Sequence, residues 1–130
     1  MPGSSVGTIL IQEGAGNRVW NNIWFDNVAN TFAFQGVSHD HNLFAENRRV
    51  EGCDPVCDKD EEGAAGEANG QIGSGSPFVD AGGAPTEADF HLVAPTEPGA
   101  TLPAPFDVDP EGVPRGADGV WDRGVFEHVR

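Results

Sequence analysis

NNIWFDN (residues 21–27) and HNLFAEN (residues 41–47) are two similar stretches that lie twenty residues apart in the chain. Five of the seven aligned positions carry identical or similar residues. Asparagine stands at two of these positions, and the other three hold an aliphatic, an aromatic and an acidic residue. Self-similarity at a fixed period is typical of folds in which successive turns of the chain stack on one another.

A twenty-residue period suits one coil of a parallel β-helix, in which each coil returns the chain to the same place one strand spacing away, about 4.8 Å. This architecture predicts that Ile23 stacks on Leu43 and that Trp24 stacks on Phe44. It also predicts asparagine ladders, because side-chain amides in register can hydrogen-bond from layer to layer. The predicted ladders pair Asn22 with Asn42 and Asn27 with Asn47. Chance repetition within an asparagine-rich turn region is the alternative.

Three segments with different patterns make up one structural domain. Residues 1–50 alternate short apolar runs with Gly and Asn turns, and we expect them to form the coils, with an early strand at residues 6–12. Residues 51–76 are acidic and rich in glycine, which is typical of a long surface loop. Residues 77–130 hold short extended pieces separated by Gly and Pro, and we expect them to form the final strands and a C-terminal cap.

The C-terminal segment resembles the closing segment of secreted bacterial right-handed parallel β-helix proteins of the pectate-lyase-like superfamily. Those chains often end in a run written DFHL, then D-x-D-G-x-x-R, then W-D-x-G-A-x-E. The matching residues are Asp89, Phe90, His91, Leu92, Asp107, Asp109, Gly112, Arg115, Trp121, Asp122, Gly124, Phe126 and Glu127. The sequence departs from that pattern at residues 93–105 and by two residues inserted before Gly112.

The resemblance implies an all-β fold, a right-handed parallel β-helix of few coils closed by an irregular C-terminal cap. It also implies a secreted or cell-surface protein that is part of a longer precursor, although a cytoplasmic location also fits the sequence. Proteins of this kind have more coils and a cap at the other end. The first coil here would therefore present unpaired strand edges, which predicts self-association through that open edge.

The chain is strongly acidic, with 21 Asp and Glu residues against 7 Lys and Arg and a formal net charge of −14. Such a surface repels nucleic acids and anionic lipids, so neither is expected as a partner. The sequence contains no run of eighteen apolar residues, so no membrane span is predicted. Cation binding, adaptation to salt and plain solubility remain as explanations of the charge.

One acidic stretch has the spacing of a calcium loop. Acidic residues alternate from position 107, a glycine follows at the sixth place, and another acid stands at the twelfth. Calcium prefers several carboxylate oxygens that converge from alternate positions. The predicted ligands are Asp107, Asp109, Glu111 and Asp118, with residues 58–63 as a weaker copy. The alternative is an Asp-rich turn in which the carboxylates accept hydrogen bonds from backbone amides.

A second group of polar residues could serve a polysaccharide. His39 and His41 stand two positions apart, and Arg48 follows one turn later. Within the β-helix resemblance, these three residues are the candidates for acid–base chemistry or for binding an acidic sugar, as in polysaccharide lyases. Trp24 could stack on a sugar ring, although core packing explains a tryptophan equally well. The simpler interpretation is that the two histidines are polar residues in a turn that faces the solvent.

The sequence as a whole favours a structural role over a catalytic one. We expect the non-catalytic end of an exported β-helix protein that caps the structure and recognises carbohydrate. The alternatives are a share of a polysaccharide lyase site and a calcium-dependent adhesion module. Cys53 and Cys57 could form a local disulfide or stay as thiols, and no particular glycan is indicated.

Overall fold

The computed structural model describes residues 16–28, 34, 37–49, 52, 57–79 and 90–128. Short β-strands dominate these ranges, so the fold is mainly β. The elements, in chain order, are β1 (Arg18–Trp20), β2 (Ile23–Phe25), β3 (Ser38–Asp40), β4 (Leu43–Ala45), β5 (Arg48–Arg49), β6 (Cys57–Asp58), α1 (Asp60–Ala64) and β7 (Gln71–Gly73).

The strands pair in a register that matches the twenty-residue repeat of the sequence. We call residues 18–28 the first layer and residues 38–48 the second layer. Strand β1 pairs with β3 in parallel, and β2 pairs with β4 in parallel. In the second pair, Ile23 lies opposite Leu43 and Trp24 lies opposite Phe44. The predicted stacking of these residues is therefore confirmed.

Strand β7 adds a third member, which pairs with β4 to give a sheet in the order β2-β4-β7. Strands β5 and β6 form a separate antiparallel pair. Each strand has only two or three residues, and the sheets are correspondingly small. Sharp corners separate the strands within each layer, which keeps every strand short.

The buried apolar residues lie in the second layer and in the C-terminal segment, with Val19 from the first layer. Leu43, Phe44 and Ala45 are all buried, whereas the equivalent residues of the first layer, 23–25, are only half-buried. Helix α1 contributes to this burial, because a Cβ atom on Gly63 would lie 2.4 Å from the Phe44 ring. The absence of a side chain at position 63 is what lets the helix approach so closely.

The segment 90–128 contains only isolated bridges and turns, and it packs against the corners of both layers. The amide of Asn21 exchanges two 2.7 Å hydrogen bonds with the backbone of Ala100. The Gly124 N–H donates to the Asn21 carbonyl at 2.6 Å. These contacts bring the irregular end of the chain onto the first corner of the first layer.

Residues 51–76, which the sequence indicates as a loop, contain β6, α1 and β7 among their described positions. Two contacts hold these elements in place, because α1 packs on the Phe44 ring and β7 pairs with β4 in the sheet. The expected strand at residues 6–12 and the side chains of Cys53 and Cys57 lie outside the described residues. No helix in the described ranges has the length and apolar character that crossing a membrane requires.

Replacing Gly63 with alanine tests how tightly α1 packs on the second layer. A glycine-to-alanine change inside a helix normally stabilises it by about 1 kcal/mol. Here the added methyl group meets the Phe44 ring, so we expect a net loss of about 1–3 kcal/mol in the free energy of unfolding, measured in urea. In a Phe44→Leu background the same substitution should lower the free energy of unfolding by less, because the aromatic ring that the methyl group meets is gone. A more stable Gly63→Ala protein would contradict the packing.

Candidate functional site

Asparagine ladders join the two layers, and the first is centred on Asn42. Its side-chain oxygen accepts hydrogen bonds from the Asn22 backbone N–H at 2.9 Å and from the Asn22 amide at 3.1 Å. Its amide nitrogen donates to the Val19 carbonyl at 2.7 Å and to Glu67 Oε2 at 2.9 Å. Asn42 is fully buried, and its hydrogen bonds are buried or partly buried. The predicted Asn22–Asn42 ladder is present.

The second ladder repeats this arrangement five residues later. Asn47 Oδ1 accepts hydrogen bonds from the backbone N–H and from the side-chain amide of Asn27, at 3.1 and 2.9 Å. The Asn47 amide donates to the Trp24 carbonyl at 2.7 Å and to Asp60 Oδ1 at 2.8 Å. The predicted Asn27–Asn47 ladder is therefore also present.

A buried carboxylate ends each ladder on the side away from the first layer. Glu67 accepts from the backbone N–H and the amide of Asn42, and Asp60 does the same for Asn47. Asp60 also accepts from the Glu46 N–H at 3.0 Å. The carboxylates occupy the places that a further asparagine would take in another layer, but they accept hydrogen bonds and donate none.

The corners that precede the ladder asparagines adopt left-handed backbone. Asn21 and His41 have φ of 60° and 54°, and Asp26 and Glu46 have φ of 54° and 58°. These are equivalent positions in the two layers. Asn and Asp tolerate this conformation better than most residues. Each corner turns the chain sharply and points the following asparagine along the stacking direction.

His39 lies in β3 and is paired with Glu67. Its Nδ1 donates to Glu67 Oε2 at 2.9 Å, and the Glu67 side chain is fully buried. The imidazole also stacks on Phe34, with ring centroids 4.6 Å apart. Glu67 thus ends an amide ladder and orients a histidine with the same carboxylate.

His41 lies outside the strand, at a left-handed corner, so the alternation that would place it on one face with His39 does not extend to it. Its Nδ1 is 3.5 Å from Asp40 Oδ2, and its ring centroid is 6.0 Å from that of Trp20. Burial raises the pKa of Asp40, but hydrogen bonds from Asn69 and the nearby His41 outweigh burial, so the pKa falls below its usual value.

The remaining two candidates for ligand contact have partners within the layers. Arg48 forms an ion pair with Asp26, which is part of the corresponding corner in the first layer. Trp24 is half-buried and stacks on Phe44 with ring centroids 6.4 Å apart. His39, His41 and Arg48 therefore each contact a different acidic residue.

The predicted calcium residues lie in the C-terminal segment and contact different groups. Asp109 accepts backbone N–H groups from Glu111, Val113 and Glu127, at 2.9, 2.9 and 3.1 Å. Asp118 accepts from the Val120 N–H at 3.0 Å. The Asp109 carboxylate therefore holds a turn together, and each of its oxygens already accepts a hydrogen bond.

Glu111 pairs with His91 at 2.8 Å, and the Asp107 carbonyl accepts from the Arg115 N–H. Among the described residues, no group of three or more His, Cys, Asp or Glu side chains could hold a metal ion. Calcium binding stays a prediction from the sequence pattern.

Glu127 and Asp122 join the ends of the C-terminal segment. Glu127 accepts from the backbone of Gly116 and Asp122, at 2.7 and 2.9 Å, and ion-pairs with Arg115 at 3.2 Å. Asp122 accepts from the Thr96 and His128 N–H groups. Burial raises the pKa of Glu127, and its hydrogen bonds and Arg115 offset only part of this effect.

A buried arginine ties this segment to the second layer. The Arg123 guanidinium donates to the carbonyls of Asn42, Pro98 and Glu97, at 2.7, 3.0 and 3.2 Å, and the residue is 1% exposed. Burial lowers its pKa, and the charges of acidic residues act in the opposite direction. Carbonyl oxygens, which carry only partial charge, are its hydrogen-bond partners.

A cleft of about 580 Å³ runs along the first layer. Every residue from 21 to 27 lines it, together with Phe78, Phe90, Gly124 and Val125. Successive residues of a strand point to opposite faces, so a cleft that all of them line must follow the edge of the strand. This is the edge of β2 away from β4.

The sequence patterns did not identify Glu67, Asp60 or Arg123 as residues that hold the layers and the C-terminal segment together. Glu67 and Asp60 stand in an acidic stretch in which neighbouring acids have similar surroundings in the sequence. Arg123 is 81 residues from Asn42, and no local periodicity connects them. The only available signal was that two predicted amide ladders need a polar group at their ends.

Comparisons with protein-family models, with curated proteins and with solved structures gave no match. The resemblance to pectate-lyase-like proteins therefore stays a prediction.

Replacing Glu67 with glutamine tests the end of the first ladder. The change keeps the shape but turns one acceptor oxygen into a donor that faces the Asn42 amide or the His39 ring. We expect a loss of about 1–3 kcal/mol in the free energy of unfolding. The control Glu61→Gln, on the exposed side of α1, should change stability by less than about 0.5 kcal/mol. Equal effects would argue against a special role for Glu67.

As the pH falls, protonation of Glu127 and protonation of Asp40 should change the free energy of unfolding in opposite directions. A raised carboxyl pKa, as in Glu127, means that the folded protein gains stability as pH falls from 7 through the folded pKa to the unfolded value. A lowered pKa, as in Asp40, means that stability is lost as pH falls from the unfolded value through the folded pKa.

Urea unfolding as a function of pH can separate the two effects. Relative to wild type, Glu127→Gln should become comparatively less stable as the solution is acidified, because it lacks the gain on protonation. Asp40→Asn should become comparatively more stable. The same sign for both differences would contradict the assignment.

Proposed function

We propose that this chain forms the last layers of a right-handed parallel β-helix, together with the segment that closes its end. Its role is structural. It stops the stacking of layers on one side and keeps the final strand edges covered. In a secreted or cell-surface protein, the high negative charge would also keep such a strand-rich end soluble.

The amide ladders carry this proposal. Two asparagines in each layer stack in a twenty-residue register, and the left-handed corners before them recur at equivalent positions. A coiled stack of layers requires that the backbone corners, the side-chain amides and the strand register all repeat with the same period. The parallel pairing of β1 with β3 and of β2 with β4 fits the same arrangement.

The two carboxylates support termination in particular. Glu67 and Asp60 accept the donors that Asn42 and Asn47 would otherwise offer to a further layer. Helix α1 covers Phe44 on the same side. A carboxylate offers no donor of its own, so the ladder stops there.

A structural role also fits the contacts of the candidate catalytic residues. His39, His41 and Arg48 contact Glu67, Asp40 and Asp26. The first and third pairings join separate parts of the chain, the second joins sequence neighbours, and each can be explained by packing alone.

Inserting one extra period tests the proposal. Duplicating residues 18–37 directly after residue 37 should add one layer and leave both ends intact, because each layer of a stacked repeat contacts only its neighbours. We expect cooperative urea unfolding with a larger dependence on denaturant, in proportion to the added surface. An insert of the same composition in shuffled order is the control and should abolish cooperative unfolding. Loss of folding with the true duplicate, or equal behaviour of both inserts, would refute the proposal.

A further inference from the structure

We propose that the edge of the first layer that faces away from the second layer binds an extended polypeptide segment in parallel, one that carries two asparagines five positions apart around an apolar strand. This inference rests on the proposed function, and it names the chemistry of the partner at the end that the carboxylates do not close. We call this surface the open edge, and it consists of residues 21–27.

Exposure differs between equivalent positions of the two layers. Leu43, Phe44 and Ala45 are 3%, 0% and 1% exposed, whereas residues 23–25 are all half-buried. Asn42 and Asn47 are buried, and their counterparts in the first layer are again only half-buried. The first layer has the residues of an internal layer, but among the described residues a paired strand lies on only one side of it.

The hydrogen bonds at the open edge have a direction. Asn22 and Asn27 both donate toward the second layer, through their backbone N–H and their side-chain amide. Within the part of the chain that the structure describes, their side-chain oxygens accept no hydrogen bond. The open edge therefore offers two amide acceptors, spaced as Asn42 and Asn47 are spaced.

A matching partner must supply donors at both places. A corner asparagine supplies two, its backbone N–H and its amide, and this is how Asn22 binds Asn42. Extended segments that add to a sheet edge gain affinity from main-chain hydrogen bonds and specificity from alternate side chains. Here the paired asparagines would fix the register.

Another copy of this protein is a poorer occupant. A twofold dimer through the open edge would place the acceptor oxygens of one protomer opposite those of the other. Head-to-tail stacking would place them against the ladder ends held by Glu67 and Asp60, which are also acceptors. In both arrangements acceptors face acceptors, and unpaired polar groups at an interface are costly.

The cleft along the open edge has room and apolar walls for such a segment. Phe78 packs edge-on against Phe25 and Phe90, with ring centroids 5.8 and 5.5 Å apart. Val125, which is 57% exposed, lines the same cleft. These side chains would cover the apolar residues of an added strand, as the second layer covers those of the first.

A synthetic peptide of residues 16–28 is the probe, because it carries both asparagines and the apolar strand between them. We expect saturable one-to-one binding to the full chain by calorimetry. A control peptide with aspartate at positions 22 and 27 should bind at least about tenfold more weakly, because carboxylates would then face the acceptors. Equal binding of the two peptides would overturn the amide-ladder mechanism.

A pair of protein variants locates the binding surface. Val125→Arg places a long charged side chain in the cleft and should abolish peptide binding. Val79→Arg introduces the same side chain at a position that is 61% exposed and does not line the cleft, and it should bind as wild type does. Binding that survives Val125→Arg would overturn the assignment to the open edge.

Light scattering and the insertion variant complete the test. If the wild-type protein is a dimer that Val125→Arg converts to a monomer, and no peptide binds, the occupant is a second copy and the inference fails. If the duplicated-period protein folds but neither it nor wild type binds the peptide, this inference fails while the proposed function stands. If the duplicated-period protein does not fold, the proposed function itself fails.

Discussion

The side-chain amide and backbone of Asn42 join the two layers, strand β7 and the C-terminal segment. Its oxygen binds the first layer through Asn22, and its nitrogen binds Val19 and Glu67. Its carbonyl accepts both the N–H that starts β7 and the guanidinium of Arg123. Because the residue is fully buried, losing any of these bonds would leave an unpaired polar group, which costs about 1–3 kcal/mol. The strands have only two or three residues each, so these bonds add to short backbone ladders between the layers.

The repeated stretch was sufficient to predict the parallel register and both ladders, because equivalent residues in stacked layers must satisfy the same contacts. It did not predict how the ladders end. Glu67 and Asp60 lie in a segment with no periodicity, and only the folded chain shows which of many acids reaches Asn42 or Asn47. The candidate site was predicted less well. The alternation of a strand suggested one face for His39 and His41, but the left-handed corner at His41 ends the strand one residue earlier.

Several acidic side chains in this chain accept hydrogen bonds from backbone N–H groups that have no strand partner. Asp60 and Glu67 accept N–H groups at the ends of the layers, and Asp109 accepts two within its own turn and a third from Glu127. Asp122 and Glu127 accept others where the last residues fold back. Irregular backbone leaves donors without strand partners, and a carboxylate can accept several of them at once. Part of the negative charge is therefore structural, although the formal net charge of −14 greatly exceeds what these five residues need.

An amide ladder differs from a stack of apolar side chains because it has two unlike ends. Stacked leucines or phenylalanines can be covered equally well from either side, but the side-chain oxygens of Asn42 and Asn47 accept only from the first layer, and a carboxylate meets their amides on the other side. One end of the ladder must therefore meet acceptors and the other must meet donors. Carboxylates satisfy the first condition in this chain. The second condition can be met only by groups with N–H or O–H bonds, so the hydrogen-bond direction set at Asn42 and Asn47 determines, in the adjacent layer, which chemistry fits the acceptors of Asn22 and Asn27.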